Sequence, residues 1–459
     1  MKLSRDQVRR KIHALPELRF EDQKLTSFAG LFVFHLLFLR LDLKQRLRNC
    51  FRHLRSSRAY DHALAVFGLI VHLLLGFRQL RDVRYYRDDP MVQRVLGLHR
   101  LPDVATVSRL LATATADGVA ALRQLCRQLV LEALTALSPR RLTLDFDGSV
   151  IGTGRCAEGT AVGFNRKKKG QRSYYPLFCT IAQTGQVFDV FHRPGNVHDS
   201  NGARDFILAC INAVRAVLPG IHIEVRMDGA FFSDALITLL TDDLAVDFTI
   251  SVPFERFVEL KSTIENRRRW RQLDQDLSYF ELRWKPKKWN RSYRFLFVRT
   301  RATLRDKEPV QLDLFIPQER GYEFKVIVTN KLIRAKEVIH FHNGRGAQEG
   351  VFAELKSEGQ LDYVPTRTLA GNQAFLLSAV LAHNLNRDLQ MSAREPDRKT
   401  TLKRSPLWRF ERLETIRRKL IQRAGRFTQP QGRLTLTLST NSAVQGELLH
   451  YRDELEKAA

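Results

Sequence analysis

Three acidic residues, widely separated in the chain, stand in settings suited to one chemistry. Asp147 closes the alternating run RLTLDFDGSV, Asp228 closes IHIEVRMD, and Glu349 lies in the helix-spaced segment HNGRGAQEGVFAELKSEG. Hydrolysing a phosphodiester near neutral pH requires a strong nucleophile and charge neutralisation on the attacking and leaving oxygens. Two divalent ions about 3.5 to 4 Å apart supply both. Hard oxygen ligands suit Mg2+ or Mn2+, so Asp147, Asp228 and Glu349 are candidate catalytic residues and candidate ligands for two such ions. An aspartate at a strand end is also a common turn former, and on the first strand Asp145 rivals Asp147, being on the same face.

The third segment is the most informative. With Glu349 set at zero on a helical wheel, Arg345 falls at about −40° and Lys356 at about −20°, while Val351, Phe352 and Leu355 fall between about 200° and 300°. One stripe is charged and the other is apolar. Glu354, at about 140°, leaves the charged stripe, which favours Glu349. A simple surface pair between Arg345 and Glu349 is the plainer reading of the spacing.

The elements that position these residues follow from hydrophobic period. Residues 1–138 read as helical, through Leu64, Phe67, Leu69, Val71 and Leu74 and again through Val119, Leu122, Leu125, Leu129 and Leu134. Within this region LHRLPDVATVSRLL has a helix beginning at about Asp103, either a DNA-reading helix pair or an ordinary corner. From Arg141 the period becomes two. Strands are expected at Leu142–Asp147, Tyr175–Ile181, Val187–Phe191, up to Asp228, and at DFTISV, with a helix from Ser233 to Leu240. Residues 255–325 break the rhythm with a basic, strand-rich stretch that includes VQLDLFI. Between Arg267 and Arg305 it holds 13 Lys and Arg against 3 Asp and Glu, interleaved with Trp270, Trp284 and Trp289. Such a mixture suits phosphate contacts with occasional base stacking. Beyond Tyr322–Thr329, a strand, helices are expected over Ala335–Leu361 and Asn372–Leu389. The basic tail from Asp397 to Arg426 reads as a helical arm, DNA-binding or merely solvated.

The expected fold class is therefore α/β. A catalytic core over 139–254 and 326–392 carries an inserted β-rich basic subdomain at 255–325. A helical N-terminal region at 1–138, with a possible role in binding DNA ends, and a basic C-terminal region at 393–459 flank it. A chain of 459 residues is long enough for several such units. Its net charge of +26 and pI near 10.3 point to a polyanionic partner, held through release of counterions. Five scattered cysteines without a C-x-x-C pair argue against a disulfide framework or a zinc knuckle. The charged opening MKLSRDQVRRKIHALPELRFED argues against a secretory leader. The apolar runs Phe28–Leu39 and Ala63–Phe77 are too short to span a membrane. A cytoplasmic protein with no membrane partner is expected.

Four stretches, DFDGSV, then GRCAEGTAVGFNRKKKGQRSYYPL, then VFDVFHRPGNVHDSNGA and EVRMDGAFF, resemble the DDE transposases of bacterial insertion sequences, most closely insertion-sequence family 1380. The resemblance spans roughly residues 75 to 430. Its third signature is a tyrosine, two residues, an arginine, three residues, a glutamate, six residues and a lysine. Arg345, Glu349 and Lys356 fit it, with His342 in the tyrosine position. It implies an RNase H-like core in which Asp147, Asp228 and Glu349 hold two metal ions. Cleavage of element ends, joining to target DNA, and a homodimer in a synaptic complex on double-stranded DNA are further implications. In that frame Arg345, Lys356 and His342 would contact DNA phosphates, and Lys167, Lys168, Lys169 and Arg172 would track the backbone nearby. His198 and Asp199 are explained by turn formation. A nucleoid-associated bacterial enzyme is implied. The rival readings are a non-catalytic repressor derived from a transposase and a metal-dependent nuclease that does not join ends.

Overall fold

The computed structural model describes residues 15–54, 60–163, 165, 168–301, 321–399 and 406–457. VQLDLFI lies outside the described residues, as does Lys167. The rest is a mixed α/β fold built on one nine-stranded sheet.

The centre of that sheet begins with β1 (Arg141–Gly148), where Leu142, Leu144 and Phe146 are fully buried on one face. β2 (Leu177–Ile181) and β3 (Val187–Phe191) follow on one side as antiparallel neighbours. On the other side β4 (His222–Met227) pairs parallel to β1, and β5 (Asp247–Val252) parallel to β4. The order β3-β2-β1-β4-β5, with only the second and third strands formed as a hairpin off the first, is that of an RNase H-like core.

The sheet does not stop at β5. The basic stretch adds β6 (Arg271–Gln272), β7 (Leu277–Trp284) and β8 (Tyr293–Arg301), which reach β5 through β9 (Tyr322–Thr329), all antiparallel. Trp270, Trp284 and Trp289 pack into this extension rather than standing apart from it: Trp284 meets Phe257 and Phe295, Trp289 meets Phe232 and Tyr293, and Trp270 meets Phe280 and Phe324. Most of these pairs are edge-to-face, and such packing contributes about 0.5 to 1.5 kcal/mol per pair beyond area burial.

Two apolar layers cover the sheet. On one face the helix Ala203–Val217 packs Phe206, Ile207, Ile211 and Val214 against Leu144, Phe146 and Val225. On the other lies a helical mass formed from Leu31–Arg40, Leu43–Cys50, His62–Leu75 and Ala116–Leu137 around a long central helix, Leu369–Ala393. The helices at 62–75 and 116–137 agree with the apolar period. The helix at Val104–Ala112 starts at Asp103, whose carboxylate accepts the Thr106 N–H at 2.7 Å as an N-cap.

Two helical expectations change. Ala335–Leu361 is two helices, α1 (Ala335–Asn343) and α2 (Gly346–Ser357), broken at Gly344–Arg345. The break follows from packing: a Cβ on Gly344 would come within 2.3 Å of Arg226 Nη1, which reaches up from β4 to the Phe341 carbonyl. The basic tail is not one helix either. Among its described residues are a short helix at Leu413–Ile416, a further turn at Arg417–Ile421 and the strand Gly425–Thr428. Arg417 is buried there and donates to the carbonyls of Leu73, Leu74 and Glu358, so part of the tail's charge ties helices together.

Candidate active site

β1 and β4 are parallel neighbours, paired through Phe146 and Met227. Asp147 and Asp228, one residue further on, therefore emerge side by side at the same edge of the sheet. Asp147 Oδ1 accepts the Gly148 N–H at 2.8 Å, and Oδ2 accepts from Arg345 Nη1 at 3.1 Å. Asp228 Oδ1 accepts the Ala230 N–H at 3.0 Å and caps the turn at Gly229–Phe231. Burial pushes the Asp147 carboxyl up to about 7, the negative charge of Asp228 adds to this, and Arg345 opposes it. Burial also raises Asp228, with Asp199 contributing and Arg345 opposing. Two carboxylates in a poorly solvated place favour any cation that can sit between them.

Glu349 joins this pair through Arg345. Its carboxylate is 4.0 Å from Arg345 Nη2 and its side chain is 70% exposed, against 19% for Asp147. Arg345 thus bridges the floor of the site and its rim. The α1–α2 break preserves the i,i+4 relation between Arg345 and Glu349. Glu354, off that stripe, is buried and paired with Arg387, and it also accepts the Leu413 N–H at 3.1 Å. Asp145 is equally committed: Arg226 grips both its oxygens, at 2.6 and 2.7 Å, in the interior. A bidentate pair of this kind leaves no carboxylate for metal.

The expected DNA-contacting residues divide. Lys168 and Lys356 line the cleft that opens over Asp228, a space of about 880 Å³, and Lys169 is exposed beside Lys168. Arg172 is exposed, but its guanidinium is engaged, donating to the hydroxyl and carbonyl of Thr160. His342 requires a correction. It is completely buried, its ring nitrogens lie 2.9 Å from the Ser251 hydroxyl and 3.0 Å from that of Thr249, and burial lowers its pKa well below the ordinary value. A neutral ring satisfied at both nitrogens inside the fold contacts no phosphate; it ties α1 to β5.

The site holds other residues, among them Asp199, which the sequence reading explained by turn formation alone. Asp199, only 9% exposed, lines the same cleft and accepts the Tyr175 hydroxyl at 2.9 Å. Arg193 is buried behind it and holds the loop, donating to the carbonyls of His198, Asp199 and Asn201 and, through Nε, to that of Tyr175. Turn formation therefore accounts for the shape of the loop but not for a carboxylate facing Asp147 and Asp228. Arg256 also lines the cleft, and Lys325 on β9 approaches Asn343 at 3.5 Å. The Arg193–Asp199 pairing had no local signal, because the partners meet only through the folded loop.

Among the described residues one group of acids and histidine, His222, Glu224 and Asp247, has its ligand atoms all within 4.8 Å of one another. It lies at the opposite edge of the sheet, at the starts of β4 and β5. Lys331 contacts both Glu224 and Asp247, and Arg141 contacts Glu224. Its charge is already offset, so it reads as an ion-pair network.

The family model described as "Transposase DDE domain group 1" matches residues 9–459. No curated protein matches the chain. Among solved structures, the cryo-EM structure of a piggyBac transposase synaptic complex with hairpin DNA is similar at a TM-score of 0.42 and 11% identity, covering 94% of this chain and 85% of that one. No described helix is long and apolar enough to cross a membrane.

Proposed function

The chain belongs to the transposase DDE domain family, group 1, and is a DDE-type DNA transposase; from that premise we propose that it cuts the ends of an insertion sequence and joins them to target DNA. The observation that carries this reading is the side-by-side emergence of Asp147 and Asp228 from parallel strands, with a carboxyl raised to about 7 and Glu349 one arginine away.

The donor set fits divalent metal. Asp147 and Asp228 are hard oxygen donors whose mutual repulsion a cation relieves, and each has one oxygen pre-positioned by a backbone N–H. They would hold a shared ion, and Glu349 would complete a second site, with Mg2+ or Mn2+ as the ions. Bound there, the ions supply the charge neutralisation and the activated water that phosphodiester hydrolysis needs. The protein's own part is positioning. Arg345 and Lys356 hold the phosphates flanking the bond that breaks, Lys168 and Lys169 steady the backbone beyond it, and the cleft walls align the freed 3′ hydroxyl for in-line attack.

The helical N-terminal region at 1–138 would engage the terminal inverted repeat, the strand-rich stretch at 255–325 would lie along the DNA, and the region at 393–459 would add basic contacts. Handling two ends together calls for a homodimer in a synaptic complex. The resemblance to insertion-sequence family 1380 points to a bacterial, nucleoid-associated setting. Replacing Asp228 by Asn should abolish Mg2+-dependent nicking of a cognate end and leave DNA affinity near wild type. Nicking by Asp228→Asn at the wild-type rate would refute the assignment. A strand-transfer assay with pre-cut ends separates a transposase from a nuclease that cannot join.

A further inference from the structure

Extending the pairing of Phe146 with Met227 and of Met227 with Ile250 by one residue puts Asp147, Asp228 and Ser251 in one row across β1, β4 and β5. Ser251 pairs with Ile327 on β9, and Ile327 with Leu296 on β8. β9 runs antiparallel to β5, so its first residues, not its last, lie at the edge that carries the acids. Lys325 is two positions before Ile327. By strand alternation it shares the face of Ile327, Ser251 and Asp147, and one step beyond the last pair of the ladder, Val326 with Val252, brings it to the level of Pro253, which lines the cleft with Asp228. Two strand spacings and two residues of rise separate it from Asp228, roughly 12 Å.

Two cations converge here. Burial lowers the Lys325 pKa, the charge of Arg345 at the start of α2 lowers it further, and Glu349 opposes the shift. The hydrogen bond from the ammonium to Asn343 Oδ1 is long, 3.5 Å. A half-buried lysine that shares its field with Arg345, one strand from the cleft-lining Pro253, is placed for an anion. Its cross-strand partner on β8, Val298, and its chain neighbour Val326 are both apolar.

We propose that Lys325 is a further DNA-binding residue, gripping a backbone phosphate of the strand that passes over Asp228, on the side of the site away from Lys168. This rests on the transposase reading above and adds a position to it. At 3.4 Å of rise per nucleotide the contact falls roughly two to four nucleotides from the scissile phosphate. The DNA would then be held on both flanks of the acids, by Lys168 and Lys169 on one side and by Lys325 on the other.

The test uses the full-length protein and cognate-end duplexes carrying a single neutral methylphosphonate at each of the four positions on either side of the scissile phosphate. Wild type should lose affinity by about threefold or more at one position in the two-to-four window, because the neutral linkage removes one ionic contact and the release of about 0.9 of a counterion that goes with it. Lys325→Ala and Lys325→Gln should be insensitive at that position and normal at the others, and Lys325→Arg should restore the wild-type profile. The slope of log affinity against log salt should fall by about 0.9 in the alanine variant. Identical profiles for wild type and Lys325→Ala would overturn the proposal, as would a loss of nicking with an unchanged salt slope, the signature of a lysine that serves only as counter-charge to Glu349. Asp228→Asn, scored separately for nicking, reports on the transposase reading itself, so the two failures are told apart.

Discussion

Gly148 follows Asp147 directly and is packed under Asp199 and Tyr175. A Cβ placed there would lie 2.4 Å from Asp199 Oδ1, 2.6 Å from Tyr175 Cζ and 2.7 Å from the Tyr175 hydroxyl. Ordinary contacts begin near 3.5 Å, so Gly148→Ala requires displacements of about 1 Å. None of these atoms is free to give way. Tyr175 lies under the Arg193 guanidinium at 5.4 Å and donates to Asp199, while Arg193 straps the Asp199 loop through three carbonyls. Either that clamp opens or the end of β1 twists, and both move the Asp147 carboxylate. Overpacking of this kind costs about 1 to 3 kcal/mol, a few degrees in Tm. Misplacing a reacting group by 1 Å costs about a hundredfold in rate. DNA affinity should stay within about twofold, because the basic residues of the cleft lie on other elements. Single-turnover nicking of a labelled cognate end with saturating protein and Mg2+ measures the first effect, scanning fluorimetry the second, and filter binding the third. Nicking within threefold of wild type would show that the glycine is not needed for the clamp. A parallel loss of nicking and binding would show that the substitution acts through the fold.

Two further predictions concern pH. Asp388, buried on the central helix with a carboxylate that accepts from Gln186 at 2.7 Å, is raised from the ordinary 3.8 to about 7. The fold therefore holds its proton more tightly than the unfolded chain, and the stability present below about 4 is lost as pH rises through about 7. Asp388→Asn keeps the acceptor and offers an amide to the unpartnered Gln186 Oε1. It should match wild type in Tm below about pH 4 and exceed it increasingly up to pH 8, with a ceiling of about 4 kcal/mol; a pH-independent difference would contradict the burial argument. For Asp147, raised to about 7, protons should compete with metal. Mn2+ affinity of the DNA-free protein, read by calorimetry, should fall about tenfold from pH 8 to pH 6. Asp228→Asn should weaken Mn2+ binding at every pH by removing a ligand, because burial, the larger cause of the Asp147 shift, remains.

What local sequence could decide, it decided well. Period-two alternation placed Leu142, Leu144 and Phe146 in the core and put Asp147 on the opposite face, and the expected strands Val187–Phe191, Asp247–Val252 and Tyr322–Thr329 have the observed bounds. These patterns are legible because each depends on one element meeting one apolar layer. Helical phase likewise separated Glu349 from Glu354 before any partner was known, and the folded chain buries Glu354 against Arg387. Tertiary structure alone decided the rest. Arg226 claims Asp145 from a parallel strand, His342 is drawn inside by two hydroxyls of β5, and Arg193 turns a surface-looking loop into a wall that presents Asp199. The continuous sheet that carries Lys325 to the site edge, and the break that aims Arg345 at Asp147, also depend on distant pairing. Charge is long-ranged and its partners come from anywhere in the chain. A carboxylate, an imidazole or a guanidinium therefore acquires its role only when the fold settles which groups surround it and how much water remains.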